Sequence, residues 1–395
     1  MTASGTAPLH PEPPAAAGEF APLDYRRFRV DPPVVLAPMA GVTNQAFRRL
    51  CRGFGAGLYV SEMITARGLA EGRRKTRELA AFHPDESPRS LQLYGVDPHW
   101  LGEATRQLVG EGAIDHLDLN FGCPVRKVTS CGGGAAIPIR PRLMARLVRA
   151  VVANAGDVPV SVKVRLGIDD EHLSHLSSGR VAREEGCVAI GLHARTAAQL
   201  YDGAARWESI AELKAATPGI QVLGNGDVLE ADDALRMMRT TRCDGVIVGR
   251  GCLGRPWLFR ELAELFAGRP PPPPPRLGEV VEVLLRHAGL LIELFGPKFG
   301  VLELRKWCGW YLKGFPGSAA VRDALFRASS LDEVRALLSG LDPTHPFPPA
   351  ALRARRCKRS GTQRVALPDG YLDDLEGETA CAGALEGEAA AAEGG

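Results

Sequence analysis

The amino-acid sequence predicts an α/β chain: a (β/α)8 TIM barrel followed by a small all-helical C-terminal domain. Three observations carry this. Eight short apolar, β-branched runs recur through the first two thirds of the chain, each followed by a stretch with helical periodicity. Those runs are nearly continuous in apolar residues, which suits a parallel sheet covered on both faces. Six prolines at 270–275 then end the alternation, and only helical patterns follow. A doubly wound sheet is the alternative, but it would more often use about five to seven strands.

In order, the expected strands are 34–37 (VVLA), 57–60 (GLYV), 90–94 (SLQLY), 116–119 (HLDL), 159–164 (PVSVKV), 188–193 (VAIGLH), 220–224 (IQVLG) and 245–248 (GVIV). Helical stretches such as NQAFRRLCRGFG, PHWLGEATRQLVGEG, PRLMARLVRAVVANAG and ADDALRMMRT lie between them. The proline run has no N–H donors and favours extended polyproline II, so it reads as a stiff linker. Beyond it, EVVEVLLRHAGLLIELFG, LELRKWCGWYLKG, SAAVRDALFRASS and LDEVRALLSG read as helices. The expected organisation is a disordered tail at 1–21, a barrel at 22–268, a linker at 269–276 and a helical domain at 277–345. A basic cluster and an acidic, disordered tail follow at 346–395.

With 395 residues, 45% of them hydrophobic, the chain can bury a sizeable core. No apolar run approaches the roughly 20 residues that span a bilayer, and residues 1–20 lack the basic start and apolar stretch of a secretory signal. Nine cysteines stand singly with no C-x-x-C pair, which suits reduced thiols and a cytoplasmic setting. The net charge of +2 hides an asymmetry: residues 1–21 carry −2 and residues 361–395 carry −7, which leaves +11 on the body. RARRCKRS places five basic residues between Arg353 and Arg359. A basic body with an acidic tail fits a polyanionic partner, although charge alone is equally compatible with an ordinary solvated surface.

In such barrels the active site forms at the C-terminal ends of the strands. Polar or small residues stand there after nearly every strand: Pro38, Met39 and Ala40; Ser61, Glu62 and Met63; Gln92; Asn120 and Cys123; Lys163 and Arg165; His193 and Arg195; Asn225, Gly226 and Asp227; Gly249 and Arg250. A purely structural core would not need them. Gly249 to Gly254 also matches G-x-G-x-x-G, but it closes the alternation instead of opening it. It therefore reads as a phosphate site after the last strand, with a tight glycine turn as the alternative. His172 and His175 form H-x-x-H without a further ligand at metal spacing, so they are expected on a helix surface and no metal is expected. Met237, Met238, Trp307 and Trp310 are expected in cores.

Together the motifs APMAGVTNQAFRRL, SEMI, QLYG, DLNFGCPVRKV, GGGAA, SVKVRLG, HARTAAQLYDG, VLGNGDV, VGRGCLGRPWLF and LRKWCGWYLKGFPG resemble the tRNA-dihydrouridine synthase family, in its bacterial B-type branch. The resemblance covers residues from about 32 to about 340. It implies an FMN-binding barrel and a helical tRNA-binding domain. The implied reaction reduces uridines of the tRNA D-loop to 5,6-dihydrouridine, with NADPH as electron source. A monomer is expected.

The resemblance implies Cys123 as the donor of a proton to C5 of uracil, while reduced flavin supplies hydride to C6. A thiol with pKa about 8.5 is still protonated at neutral pH, whereas a carboxylic acid near 4 is ionised. Alternatively, Cys123 is a small buried hydrophobe. Flavin contacts are implied for Pro38, Met39, Ala40, Gln92, Lys163, His193, Asn225, Gly226, Asp227, Gly249 and Arg250, with Lys163 beside the flavin edge that becomes anionic on reduction. Asn120, Lys127, Arg165 and Arg195 are implied for the flipped uracil and nearby phosphates.

Two departures stand out: Asn44 replaces a frequent Asp at a helix N-cap, and Arg206 replaces a frequent acidic residue before Trp207. Two other readings remain open at this point. One is another FMN barrel oxidoreductase, such as a dihydroorotate dehydrogenase. The other is a non-catalytic RNA-binding barrel.

Overall fold

The computed structural model describes residues 11–354, 356 and 361–379. All eight expected strands form: Val34–Leu36, Leu58–Thr65, Ser90–Tyr94, His116–Phe121, Val160–Arg165, Ala189–His193, Gln221–Asn225 and Gly245–Val248, here strands 1 to 8. They pair in sequence order, all parallel, and strand 8 closes on strand 1 with Val246 opposite Val34. Each strand is followed by a helix that covers the outside, from Gln45–Gly53 after strand 1 to Leu258–Phe266 after strand 8.

Alternation along the strands divides the apolar residues between two layers. Val34, Leu36, Leu91, Leu93, Leu117, Val162 and Val246 belong to the continuous core shared with the helices. Val35, Leu58, Val60, Leu223 and Ile247 form a second cluster with Leu23, Tyr25 and Val30. Those last three come from a short antiparallel hairpin, Leu23–Asp24 with Arg29–Val30, which the sequence pattern did not reveal. Full burial contributes roughly 1.5–3 kcal/mol for each such side chain.

The first helix starts where Asn44 accepts from Phe47 N at 3.0 Å, the N-cap role expected of it. Beyond the prolines, a long helical segment spans Leu277–Tyr311 and breaks at Gly296 (φ 78°) before Pro297. Ser318–Leu325, Leu331–Ser339 and Pro349–Leu352 follow. Trp307 is fully buried, 4.5 Å from the Phe47 ring, and so joins the helical part to the first barrel helix. Trp310, expected in the core, is half-buried.

Two expectations need correction. The tails are not free chain where they are described. Glu12 and Glu19 pair with Arg236 and Arg239, and Ala15 is buried. Tyr371 is buried against the barrel. The compositional argument missed that a few anchors suffice to hold a polar strap. The acidic residues beyond 379 lie outside the described residues. His175 is buried at the start of helix His175–Glu184 and not on its surface, with Nε2 3.5 Å from Glu212 of the following helix.

Among the described residues no helix is long and apolar enough to cross a membrane. No group of three or more His, Cys, Asp or Glu is placed there to hold a metal.

Candidate active site

A cavity of about 540 Å³ opens at the C-terminal ends of the strands, the end at which barrels of this kind carry their sites. Its walls include Pro38, Met39 and Ala40 after strand 1, Gln92 in strand 3, Asn120 and Cys123 from strand 4 and its loop, and Lys163 and Arg165 in strand 5. His193, Asn225, Gly226, Asp227, Gly249 and Arg250 complete the ring from strands 6 to 8. All eleven residues expected at a flavin, the expected proton donor, and two of the four expected at the base therefore share one space.

The strand 1 loop is fixed by Glu62, whose carboxylate accepts from Gly41 N at 2.5 Å, and by Thr43, which accepts from Met39 N at 2.9 Å. The strand 4 loop is fixed by Asn120. Its Oδ1 accepts from the backbone N–H of Gly122 at 3.1 Å and of Cys123 at 2.9 Å. Its Nδ2 donates to Gln92 Oε1 at 2.9 Å, and Gln92 Nε2 donates to Asp118 Oδ2 at 2.7 Å. The chain of bonds continues below the cavity through Ser161, which donates to Asp118 Oδ1, to His116 and Ser90. Burial raises the Asp118 carboxyl and holds His116 neutral, down to about 3. The polar column through the barrel thus locks the amide orientation that points Asn120 Oδ1 at Cys123.

Gly134 lets this loop close on itself: a Cβ there would meet Cys123 O at 2.5 Å, and φ is +54°. Ala135 N donates to Cys123 O at 3.0 Å. Cys123 as a whole residue is half-buried. Burial raises its thiol above the ordinary range, against the lowering pull of Arg165 and Lys163, so it keeps its proton at neutral pH. Burial lowers Lys163 to about 8, with Arg165 adding to the effect and Asp118 opposing it. Its ammonium is still mostly charged at pH 7. Burial and the same cations hold His193 well below its ordinary value, so its ring is neutral.

Two of the expected site residues are not brought to the cavity. Arg195 is 2% exposed and bonds inside the protein: Nη2 bonds Asp227 at 2.7 and 2.8 Å and Gly203 O at 2.7 Å, and Nε donates to Asp202 O at 3.1 Å, while the buried Nη1 has no hydrogen-bond partner among the described residues. It braces Asp227, a non-glycine residue at φ 58°. Lys127 is exposed on the short helix Arg126–Thr129, just outside the cavity wall. Arg165 does line the cavity, but its guanidinium also braces loops, through Gly122 O, Thr196 O and Leu200 O at 2.8–2.9 Å. Arg206, where an acidic residue was frequent, pairs with Asp170 at 2.5 Å.

Sequence reasoning missed Tyr201, Lys306, Trp310 and Arg356, which also line the cavity. The first three lie within quoted motifs but away from any strand end. Arg356 comes from the basic cluster, most of which lies outside the described residues, while its neighbour Arg353 pairs with Glu230 and Asp233. Tyr201 carries Arg250 over its ring at 4.3 Å.

The lining suits a flavin. Pro38, Met39 and Ile247 offer apolar surface for a flat ring, and Lys163, Arg250 and Arg356 bring positive charge to the lining, with Lys306 beside them paired to Glu303. The carboxylate among the lining residues, Asp227, is already paired with Arg195.

The family described as "Dihydrouridine synthase (Dus)" matches residues 35–343. A "probable tRNA-dihydrouridine synthase" of Mycobacterium tuberculosis is 55% identical over 351 residues, 87% of this chain and 90% of that protein. One of Mycobacterium leprae is 50% identical over 378 residues, 89% and 98% of the two chains. "tRNA-dihydrouridine synthase B" of Xanthomonas axonopodis is 40% identical over 310 residues, 78% and 92%. Among solved structures, histamine dehydrogenase from Rhizobium matches with TM-score 0.51 at 11% identity, over 82% of this chain and 65% of that one, a likeness of fold.

Proposed function

The chain belongs to the dihydrouridine synthase family, a family of oxidoreductases, and on that premise we propose that it reduces uridines of the tRNA D-loop to 5,6-dihydrouridine. FMN is the cofactor in this reading, and NADPH its electron source. The observation that carries it is a single one: the Cys123 thiol lines the same cavity as every residue expected to hold the flavin.

Bound flavin supplies a hydride for C6 of the uracil ring. The chain's own residues do the rest. Cys123 delivers the proton to C5, and burial keeps that proton on sulfur at neutral pH. Asn120 and Ala135 hold the backbone on both sides of the thiol. Lys163 would balance the negative charge of a reduced flavin held in the cavity. His193, neutral, donates or accepts a hydrogen bond without adding charge. Arg250 and the Gly249 backbone would hold the cofactor's phosphate. Arg165 stiffens the wall against which the flipped base lies, and the surface cations around Lys127 meet the tRNA backbone. A tRNA substrate agrees with the cytoplasmic setting expected from unpaired cysteines.

The test is direct: purified protein with FMN, NADPH and a tRNA transcript, followed by mass mapping of the D-loop. A two-hydrogen gain on D-loop uridine supports the reading. Turnover of small pyrimidines or quinones with tRNA left unchanged contradicts it.

A further inference from the structure

Residues 361–379 lie beyond the family-matched span of 35–343, yet they grip the loop that carries Cys123. Gln363 makes the first contact. Its side-chain amide donates to Pro124 O at 2.8 Å and Ala197 O at 3.2 Å, and its backbone N–H donates to Ala198 O at 2.8 Å. Arg165 makes the matching grip on the other side of the thiol, joining Gly122 O to Thr196 O and Leu200 O. The carbonyls that flank Cys123 are therefore both tied to the 196–200 loop, one by the barrel and one by the C-terminal segment.

Tyr371 makes the second contact. It is 1% exposed, and its hydroxyl lies 3.3 Å from Gly132 O and 3.2 Å from Ala136 O, where it donates. The Arg140 guanidinium stacks on its ring at 3.9 Å and donates to its carbonyl at 2.8 Å. Residues 132–136 form the turn whose Ala135 N–H holds Cys123 O. Ala136, Ile139, Ile168 and Tyr371 make a small core of their own, with Val365, Leu367 and Leu372 packed against it. The segment is thus seated by apolar burial as well as by hydrogen bonds.

We infer that residues 361–379 are a working part of the active site: a strap that holds the Cys123 loop in its reactive position, with Gln363 and Tyr371 as positioning residues. The inference rests on Cys123 being the proton donor. A thiol that must meet C5 while hydride arrives at C6 tolerates little displacement, since a shift of about 1 Å can cost on the order of 100-fold in rate. The step in which the cofactor is reduced by nicotinamide does not use Cys123, so the strap acts on one half of the cycle.

The experiment compares the full-length enzyme with Gln363→Met, with a chain ending at residue 360 and with a chain ending at residue 379. Three quantities are read: hydrogen exchange of peptides covering 122–136, single-turnover flavin reduction by NADPH, and reoxidation by saturating tRNA. Gln363→Met and the shorter chain should quicken exchange roughly fivefold or more and slow reoxidation roughly tenfold or more, with flavin reduction within about twofold of the full-length enzyme. The chain ending at 379 should match the full-length enzyme. Gln363→Met keeps the side-chain volume, so its effect does not depend on the shorter chain folding well. Unchanged exchange and reoxidation overturn the inference, as does quicker exchange without slower reoxidation. Cys123→Ala in the same assay separates the failures: if it reoxidises normally, the proton-donor reading is wrong, while exchange still reports the grip.

Discussion

Asn120 Oδ1 accepts the backbone N–H of Cys123 at 2.9 Å, and the same amide is held from below by Gln92 and Asp118. The orientation of the Cys123 loop is thus set by a buried column inside the barrel. Removing the amide leaves two loop N–H groups without an acceptor, worth about 1–3 kcal/mol. Asn120→Ala should slow tRNA-dependent reoxidation of reduced flavin by roughly 10–100-fold. Flavin reduction by NADPH should change little, which stopped-flow absorbance would show.

Lys163 gives a pH dependence with a definite sign. Burial has lowered it to about 8, so its charge is lost as pH rises through about 8 and not near 10.5. If it balances the reduced flavin, Lys163→Met should lower the flavin potential. A loss of about 1.4–2.8 kcal/mol of stabilisation corresponds to about 30–60 mV for a two-electron couple. The wild-type potential should also fall more steeply with pH on the alkaline side than that of the variant. Dye-coupled titrations from pH 7 to 10 decide it; identical curves would remove Lys163 from the flavin.

Arg195 pairs with Asp227, and that contact sets the expected effect of removing it. Arg195→Ala should release Asp227 into the cavity as an unpaired carboxylate near the expected flavin site. Flavin affinity of the apoprotein should fall about tenfold or more, whereas the KM for tRNA at saturating flavin should stay near wild type. A raised tRNA KM with flavin affinity intact would return Arg195 to the RNA interface.

Arg48 and Glu86 form an ion pair at 2.6 Å, 2% and 0% exposed, and the Arg48 guanidinium also donates to Thr43 O at 2.9 Å. Glu86→Ala leaves a buried guanidinium unpaired, which typically costs about 3–5 kcal/mol. Urea unfolding should show that loss without a change in the flavin spectrum.

The sequence carried the strands because barrel strands need short β-branched apolar runs, and here eight of them recur in alternation with helical stretches. It carried the cavity wall for a related reason: strand ends at one pole of a barrel must converge, so Gln92, Lys163, His193 and Asn225 were legible as lining residues from position, while their assignment to a flavin came from the family resemblance. The misses have physical causes. Arg195 stands at a strand end like the others, but its long side chain lies behind the cavity wall, paired with the lining residue Asp227, a choice that depends on a residue from the next strand loop. Tyr201, Trp310 and Arg356 reach the cavity from distant segments, and no local period marks them. Gln363 and Tyr371 sit in an Ala-, Gly- and Glu-rich tail, where two anchoring side chains do not alter the composition.

The central claim is that Cys123 protonates C5 of a tRNA uridine, and it is tested by one anaerobic mixing experiment. Enzyme and Cys123→Ala, each loaded with flavin and reduced by NADPH, are mixed with tRNA lacking dihydrouridine while flavin absorbance is followed. The account predicts that both bind tRNA and both are reduced by NADPH, but that Cys123→Ala reoxidises slower by roughly 100-fold or more. Reoxidation of Cys123→Ala at the wild-type rate, with dihydrouridine formed, would contradict it.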